Sequence, residues 1–187
     1  MNKATRSLLL AGLLSLCCTL PPTLAHAELP GTFGVTITGG IADHHTSTFD
    51  AALVWDPNLH WWQMGDWSFS LLGELHAAMI RNTEGDDPRT LGAFGIEPVF
   101  RIGKDSGPIR PYVEAGVGIR FLTGVRLNDA YDISTSFQFA DMVGAGLKFG
   151  DKGQYELGYR FQHLSNASIK RPNPGINFHQ VYVGYMF

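Results

Sequence analysis

At 187 residues and a net charge of −3, the chain is long enough for one domain and lacks the basic excess that would draw it to nucleic acid. Its two cysteines, Cys17 and Cys18, stand together near the N-terminus, so the rest of the chain has neither a disulfide nor a cysteine metal site. The 22 glycines and an aromatic content of 12% favour twisted strands and tight turns over helices.

Lys3 and Arg6 precede an apolar run from Leu8 to Leu20 and the small-residue site Ala25-His26-Ala27. This pattern predicts a cleaved signal peptide over residues 1–27 and leaves a single domain over residues 28–187. The run is shorter than the roughly 20 residues a spanning helix requires. A lipoprotein signal ending at Cys17 fits poorly, because Leu16 stands directly before the cysteine.

Beyond that segment about eight stretches alternate apolar and polar residues, the period of a strand with two unlike faces. Phe33, Val35, Ile37 and Ile41 keep step in the first, and Phe49, Leu53 and Trp55 in the second. The third sets Trp67, Phe69, Leu71, Leu75 and Met79 against Ser68, Ser70, Glu74 and His76. Next, Phe94, Ile96, Phe100 and Ile102 oppose Glu97 and Arg101, and Val113, Val117, Ile119 and Phe121 oppose Glu114 and Arg120. The sixth groups Phe137, Phe139, Val143, Leu147 and Phe149; Asp141 interrupts that apolar series, which predicts a bulge. Tyr155 to Ser165 follows, with Leu157, Tyr159, Phe161, His163 and Ser165 opposite Glu156, Gly158, Arg160, Gln162 and Leu164. The eighth runs from about Asn177 to Phe187.

A soluble lipocalin-like barrel would turn the apolar faces inward around a ligand; a membrane barrel would turn them outward to lipid. Glu74, Glu97, Arg101, Glu114, Arg120, Glu156 and Arg160 decide the matter, since charges of both signs can pair in a narrow lumen. Eight strands leave an interior just wide enough for side chains to fill. The expected fold is therefore an all-β, eight-stranded antiparallel transmembrane β-barrel with a polar, plugged interior. Trp55, Trp61, Trp62, Trp67, Tyr159 and Tyr185 are candidates for the interfacial aromatic girdles. The ending Val181-Tyr182-Val183-Gly184-Tyr185-Met186-Phe187 resembles the closing strand of outer-membrane barrels.

His163 and Ser165 project from one strand face, roughly 7 Å apart along the chain. A histidine that accepts the serine proton makes the hydroxyl nucleophilic, although His-x-Ser arises often by chance and both residues could be interfacial polar groups. The longer run from Tyr159 to Gly175, YRFQHLSNASIKRPNPG, closely resembles the C-terminal signature of the PagL family, the outer-membrane lipid A 3-O-deacylases. The resemblance implies an eight-stranded barrel with an active site on its outer, membrane-facing surface. It assigns Ser165 as nucleophile, His163 as general base, and Asn166 (side-chain amide) and Ser168 (backbone N–H) to the oxyanion hole. No cofactor or metal is implied. The substrate would be lipid A or lipopolysaccharide within outer-membrane lipids; a homodimer stays open.

The family position that can hold an acidic third member aligns with Asn177, which can orient a histidine but brings no negative charge. Either the dyad works with Asn177, or an acid such as Asp43 or Asp141 comes in from elsewhere. A simple hairpin around residues 167–176 would set Ser165 opposite Asn177 and His163 opposite His179, with His179 an interfacial neighbour. Asp43-His44-His45 and the loop acids Glu84, Asp86 and Asp87 read as solvated loops, while Lys170, Arg171 and Arg126 suit lipid A phosphates. A non-catalytic outer-membrane barrel and a soluble lipocalin-like lipid carrier are the alternatives to an esterase.

Overall fold

The computed structural model describes residues 30–85 and 87–187, so the expected signal peptide lies outside the described residues. Among the described residues nine strands form: β1 Thr32–Ala42, β2 Thr46–Asp56, β3 His60–Met64, β4 Trp67–Asn82, β5 Arg89–Lys104, β6 Ile109–Leu122, β7 Phe137–Phe149, β8 Tyr155–Ser165 and β9 Ile176–Met186; eight keep the expected alternation, and the short β3, exposed along its whole length, is additional. Each pairs antiparallel with its neighbours, β9 returns to β1, and β2 meets β4, so the sheet closes on itself.

The closed wall has eight staves, because β2 and β3 occupy one of them. β2 pairs with β4 from Asn82 to Gly73, and β3 takes over along the same strand from Ser70 to Trp67. Between them Pro57 cannot donate to a ladder, and Asn58 turns at φ 58° while its N–H donates to Asp56 Oδ1 at 2.8 Å. Three short turns, at residues 65–66, 105–108 and 150–154, lie at the end that also holds Thr32 and Met186. The longer loop L3 (residues 123–136) and L4 (residues 166–175) lie at the other end. That other end also carries the tight β1–β2 turn at residues 43–45, but both long connections are there, the usual asymmetry of outer-membrane barrels.

Side chains sort by face as the alternation requires. Val117, Phe94 and Val183 are each more than half exposed on the outside, whereas Glu74, Glu97, Arg101, Glu114, Arg120, Glu156 and Arg160 are all buried inside. The interior charges are paired. Arg160 reaches Glu74 and Glu114 at 2.7 Å each, Arg101 holds Glu156 at 2.8 Å and Glu114 at 2.9 Å, and Arg120 meets Glu97 at 2.7 Å. His76 sits between Asp50 at 2.7 Å and Glu74 at 3.1 Å. Tyr112 and Tyr182, hydrogen-bonded to each other, lie under the guanidinium planes of Arg101 and Arg160. Toward the loop end the lumen turns apolar: Leu127 and Ile133 of L3 fold inward against Ile80, Leu122, Leu164 and Phe178. The plug is thus polar below and apolar above.

Two expectations are corrected. β7 keeps unbroken register with both β6 and β8, so there is no bulge at Asp141; the residue stays in step and is exposed on the outer face. The β8–β9 hairpin is displaced by two residues from the expected pairing, because Gly175 ends the loop early at φ 69°. Asn177 therefore opposes His163, and His179 opposes Phe161. An even displacement leaves every side chain on its expected face.

Arg160→Ala would leave Glu74 and Glu114 without their shared counter-ion inside the lumen. The barrel should lose about 3–5 kcal/mol, measured as a lower urea midpoint in detergent micelles.

Candidate active site on the outer face

β8 delivers His163 and Ser165 to the outer surface near its loop end, both half-buried. Leu164 between them turns inward to the apolar plug, which fixes the strand's facing at this level. His163 Nδ1 lies 2.7 Å from Asn177 Oδ1. An amide oxygen only accepts, so Nδ1 carries the proton and Nε2 keeps its lone pair, the tautomer a general base needs. Among the described residues no hydrogen bond joins the imidazole to Ser165. Contacts between a catalytic base and its nucleophile commonly tighten only around substrate.

Gly175 makes room for the ring. A Cβ there would fall 2.6 Å from His163 Cε1, and the backbone is left-handed at φ 69°. The Gly175 carbonyl is in turn held by the hydroxyl of Tyr131 in L3. L3 and L4 are joined further by Ser134 Oγ, which donates to Pro172 O at 2.6 Å, and by Asn166.

Asn166 is fully buried, and its amide donates to Ile133 O at 3.1 Å and Lys170 O at 3.0 Å, while its backbone N–H donates to Asn173 Oδ1 at 3.0 Å. Its donors thus fasten the two loops in this conformation. Immediately beyond, Ala167 and Ser168 take φ 51° and 63°, and Ile169 N–H closes the turn on Asn166 O at 3.0 Å. Both central residues of this turn are left-handed without being glycine, a costly conformation that the loop clamp sustains. The turn's own bond uses Ile169 and leaves the N–H groups of Ala167 and Ser168 for another acceptor.

A family model described as Lipid A 3-O-deacylase (PagL) matches residues 47–186. The chain belongs to the PagL family. It is similar to lipid A deacylase PagL of Pseudomonas aeruginosa, 32% identical over 156 residues that cover 83% of this chain and 84% of the relative. Lipid A deacylase PagL of Bordetella bronchiseptica is 30% identical over 162 residues, 84% of this chain and 85% of the relative. The crystal structure of the outer membrane enzyme PagL aligns at a TM-score of 0.69 and 28% identity, covering 81% of this chain and 98% of that one. A de novo designed transmembrane β-barrel, at 13% identity and a TM-score of 0.50 over 86% of this chain and 98% of that one, shares the fold alone.

Membership of the PagL family places the barrel in the outer membrane, with its apolar outer face against lipid. On that face Phe139 pairs with Ser165, and Phe121, Phe137 and Phe139 stack edge to face at 5.5 and 5.0 Å. His179 lies two pairs deeper than His163 and bonds Tyr159 Oη at 2.6 Å, apart from the serine. Lys170 and Arg171 are exposed on L4, and Arg126 pairs with Asp132 at 3.3 Å. Glu84 bonds His44 at 3.3 Å in the loops, and no metal-holding cluster occurs among the described residues.

Tyr131 and Ser134 escaped the sequence reading, since nothing in local spacing announces contacts 44 and 38 residues away; Asn173 and Gly175 stand inside the motif but had no role assigned to them. Gly175→Ala should push the imidazole off Asn177. The readout is loss of the protected Nδ1 proton in a 15N-histidine spectrum; an unchanged signal would contradict this role.

Proposed function

We propose that the protein removes the ester-linked 3-position acyl chain of lipid A, with Ser165 as nucleophile and His163 as general base. The observation that carries this reading is the His163 ring, oriented by Asn177 Oδ1 at 2.7 Å from Nδ1, on the same lipid-facing surface as Ser165. His163 takes the Ser165 proton as the serine oxygen attacks the ester carbonyl. The tetrahedral intermediate collapses to an acyl-enzyme as His163 returns the proton to the departing sugar oxygen. Water, activated by the same imidazole, then releases the fatty acid.

The backbone N–H of Ser168 is the better-prepared oxyanion donor, because its turn leaves it uncommitted. The Asn166 amide would have to release Ile133 or Lys170 to contribute directly; in its present bonds it holds the turn in shape. Lys170 and Arg171, exposed on L4, carry the charge that suits the phosphates of lipid A. Serine chemistry of this kind needs neither metal nor organic cofactor. A homodimer would have to use a part of the outer face away from β7 to β9, so that lipid A can still reach Ser165.

Lipid A extracted after expression should lack one ester-linked acyl chain by mass spectrometry with the wild-type protein. Ser165→Ala should reduce the rate at least about a thousandfold without loss of the folded, heat-modifiable barrel. Intact lipid A with the wild type would count for the inert-barrel reading instead. At the next position of interest, Ser168→Gly should keep activity within a few fold, since the donor is backbone. Ser168→Pro, which removes that N–H and cannot adopt φ 63°, should lose about a hundredfold or more.

A further inference from the structure

We infer that Asp141 supplies the negative charge that stabilises His163 when it becomes imidazolium, acting as a positioning residue through the ring. This rests on the serine-esterase reading above and adds the charge that reading lacks. A histidine base passes through a cationic state in both half-reactions, and a neutral amide partner orients it without balancing that charge. Asn177 is such a partner.

Asp141 stands directly opposite His163 in the β7–β8 ladder, so the two Cβ atoms are neighbours at about 5 Å. Both residues point outward, and β7 carries Asp141 in unbroken register, four residues in from its loop end. Its other surroundings on that face are apolar: Phe139 and Val143 along β7 and Val117 across on β6. A carboxylate on a lipid-facing wall is costly and finds its explanation in a partner, and here the one polar residue paired with it is His163.

The groups that face the imidazole are few. From β9 come Asn177 and, two pairs deeper, His179; from L4 comes Gly175; from β7 comes Asp141. Asp43 follows the end of β1, whose Ala42 pairs with Phe178, so it lies on the far side of β9 from His163. Because the Nδ1 proton is taken by Asn177, Asp141 acts across space and not as the ring's hydrogen-bond acceptor. It exchanges no proton: the proton travels from Ser165 to Nε2 and on to the leaving oxygen, while the carboxylate keeps its charge throughout.

The test compares wild type, Asp141→Asn, Asn177→Asp, the double variant, Asp43→Asn and Ser165→Ala, each as the full barrel in detergent micelles with lipid A. Removing a charge from the lipid face should leave insertion intact and raise resistance to urea, so a fall in activity cannot be ascribed to misfolding. Asp141→Asn is expected to lower kcat at least tenfold at an unchanged KM. Adding Asn177→Asp should restore kcat to within about threefold by returning a carboxylate to the other edge of the ring. Asp43→Asn should leave kcat unchanged. If Asp141→Asn keeps kcat within twofold while Ser165→Ala abolishes it, the assignment fails and the serine reading stands. The assignment fails equally if kcat falls but the added aspartate, active in its own single variant, brings no recovery. Wild-type activity in Ser165→Ala would overturn both.

Discussion

Closing the sheet with its charges paired inside is the constraint from which the rest follows. Once Arg101, Arg120 and Arg160 are locked among Glu74, Glu97, Glu114 and Glu156, each strand's facing is determined, because a one-residue slip would carry an arginine into lipid. Breaking such a pair strands its partner, so the network is worth more as a specification of register than as a source of net stability. The outer position of His163 and Ser165 is a consequence of Arg160 and Gln162 on the inner face of the same strand.

The alternation was legible because a period of two survives any error in loop length. For the same reason the outward facing of the site residues could be read before their partners. Register could not: it depends on where L4 ends, and Gly175 ends it sooner than a symmetrical hairpin would. Asp141 departs from expectation for a physical reason. A polar residue in an apolar series signals a bulge in soluble sheets, yet β7 simply carries it on the outside. The inward fold of L3 left no clear pattern, since its apolar residues Val125, Leu127, Tyr131 and Ile133 are split into two short pairs by the polar stretch from Asn128 to Ala130.

L3 supplies what the strands alone cannot. A strand end is free to fray, but Tyr131, Ser134 and Ile133 fasten L4 by bonds to Gly175, Pro172 and Asn166, and L3 is itself anchored by burial of Leu127 and Ile133. The strained turn at Ala167 and Ser168 is sustained by this clamp. Rigidity at the site is therefore drawn from the apolar upper plug, while the polar lower plug governs the barrel's register.

An eight-stranded barrel with a filled lumen has no internal cavity in which to hold a substrate. Chemistry on this scaffold has to occur at a rim or on the outer wall, and the outer wall suits an ester whose acyl chain is already dissolved in lipid. The membrane then takes the part that an apolar pocket plays in a soluble esterase. The protein contributes only the polar groups, and these stand in a low-dielectric setting where each is expensive to place: a charged side chain on such a wall costs up to about 2–4 kcal/mol near the bilayer midplane and less toward the interface. Grouping Asp141, His163, Ser165 and Asn177 on three adjacent strands at one level lets them offset that cost among themselves. Setting them near the loop end keeps them in the region where the penalty has already fallen.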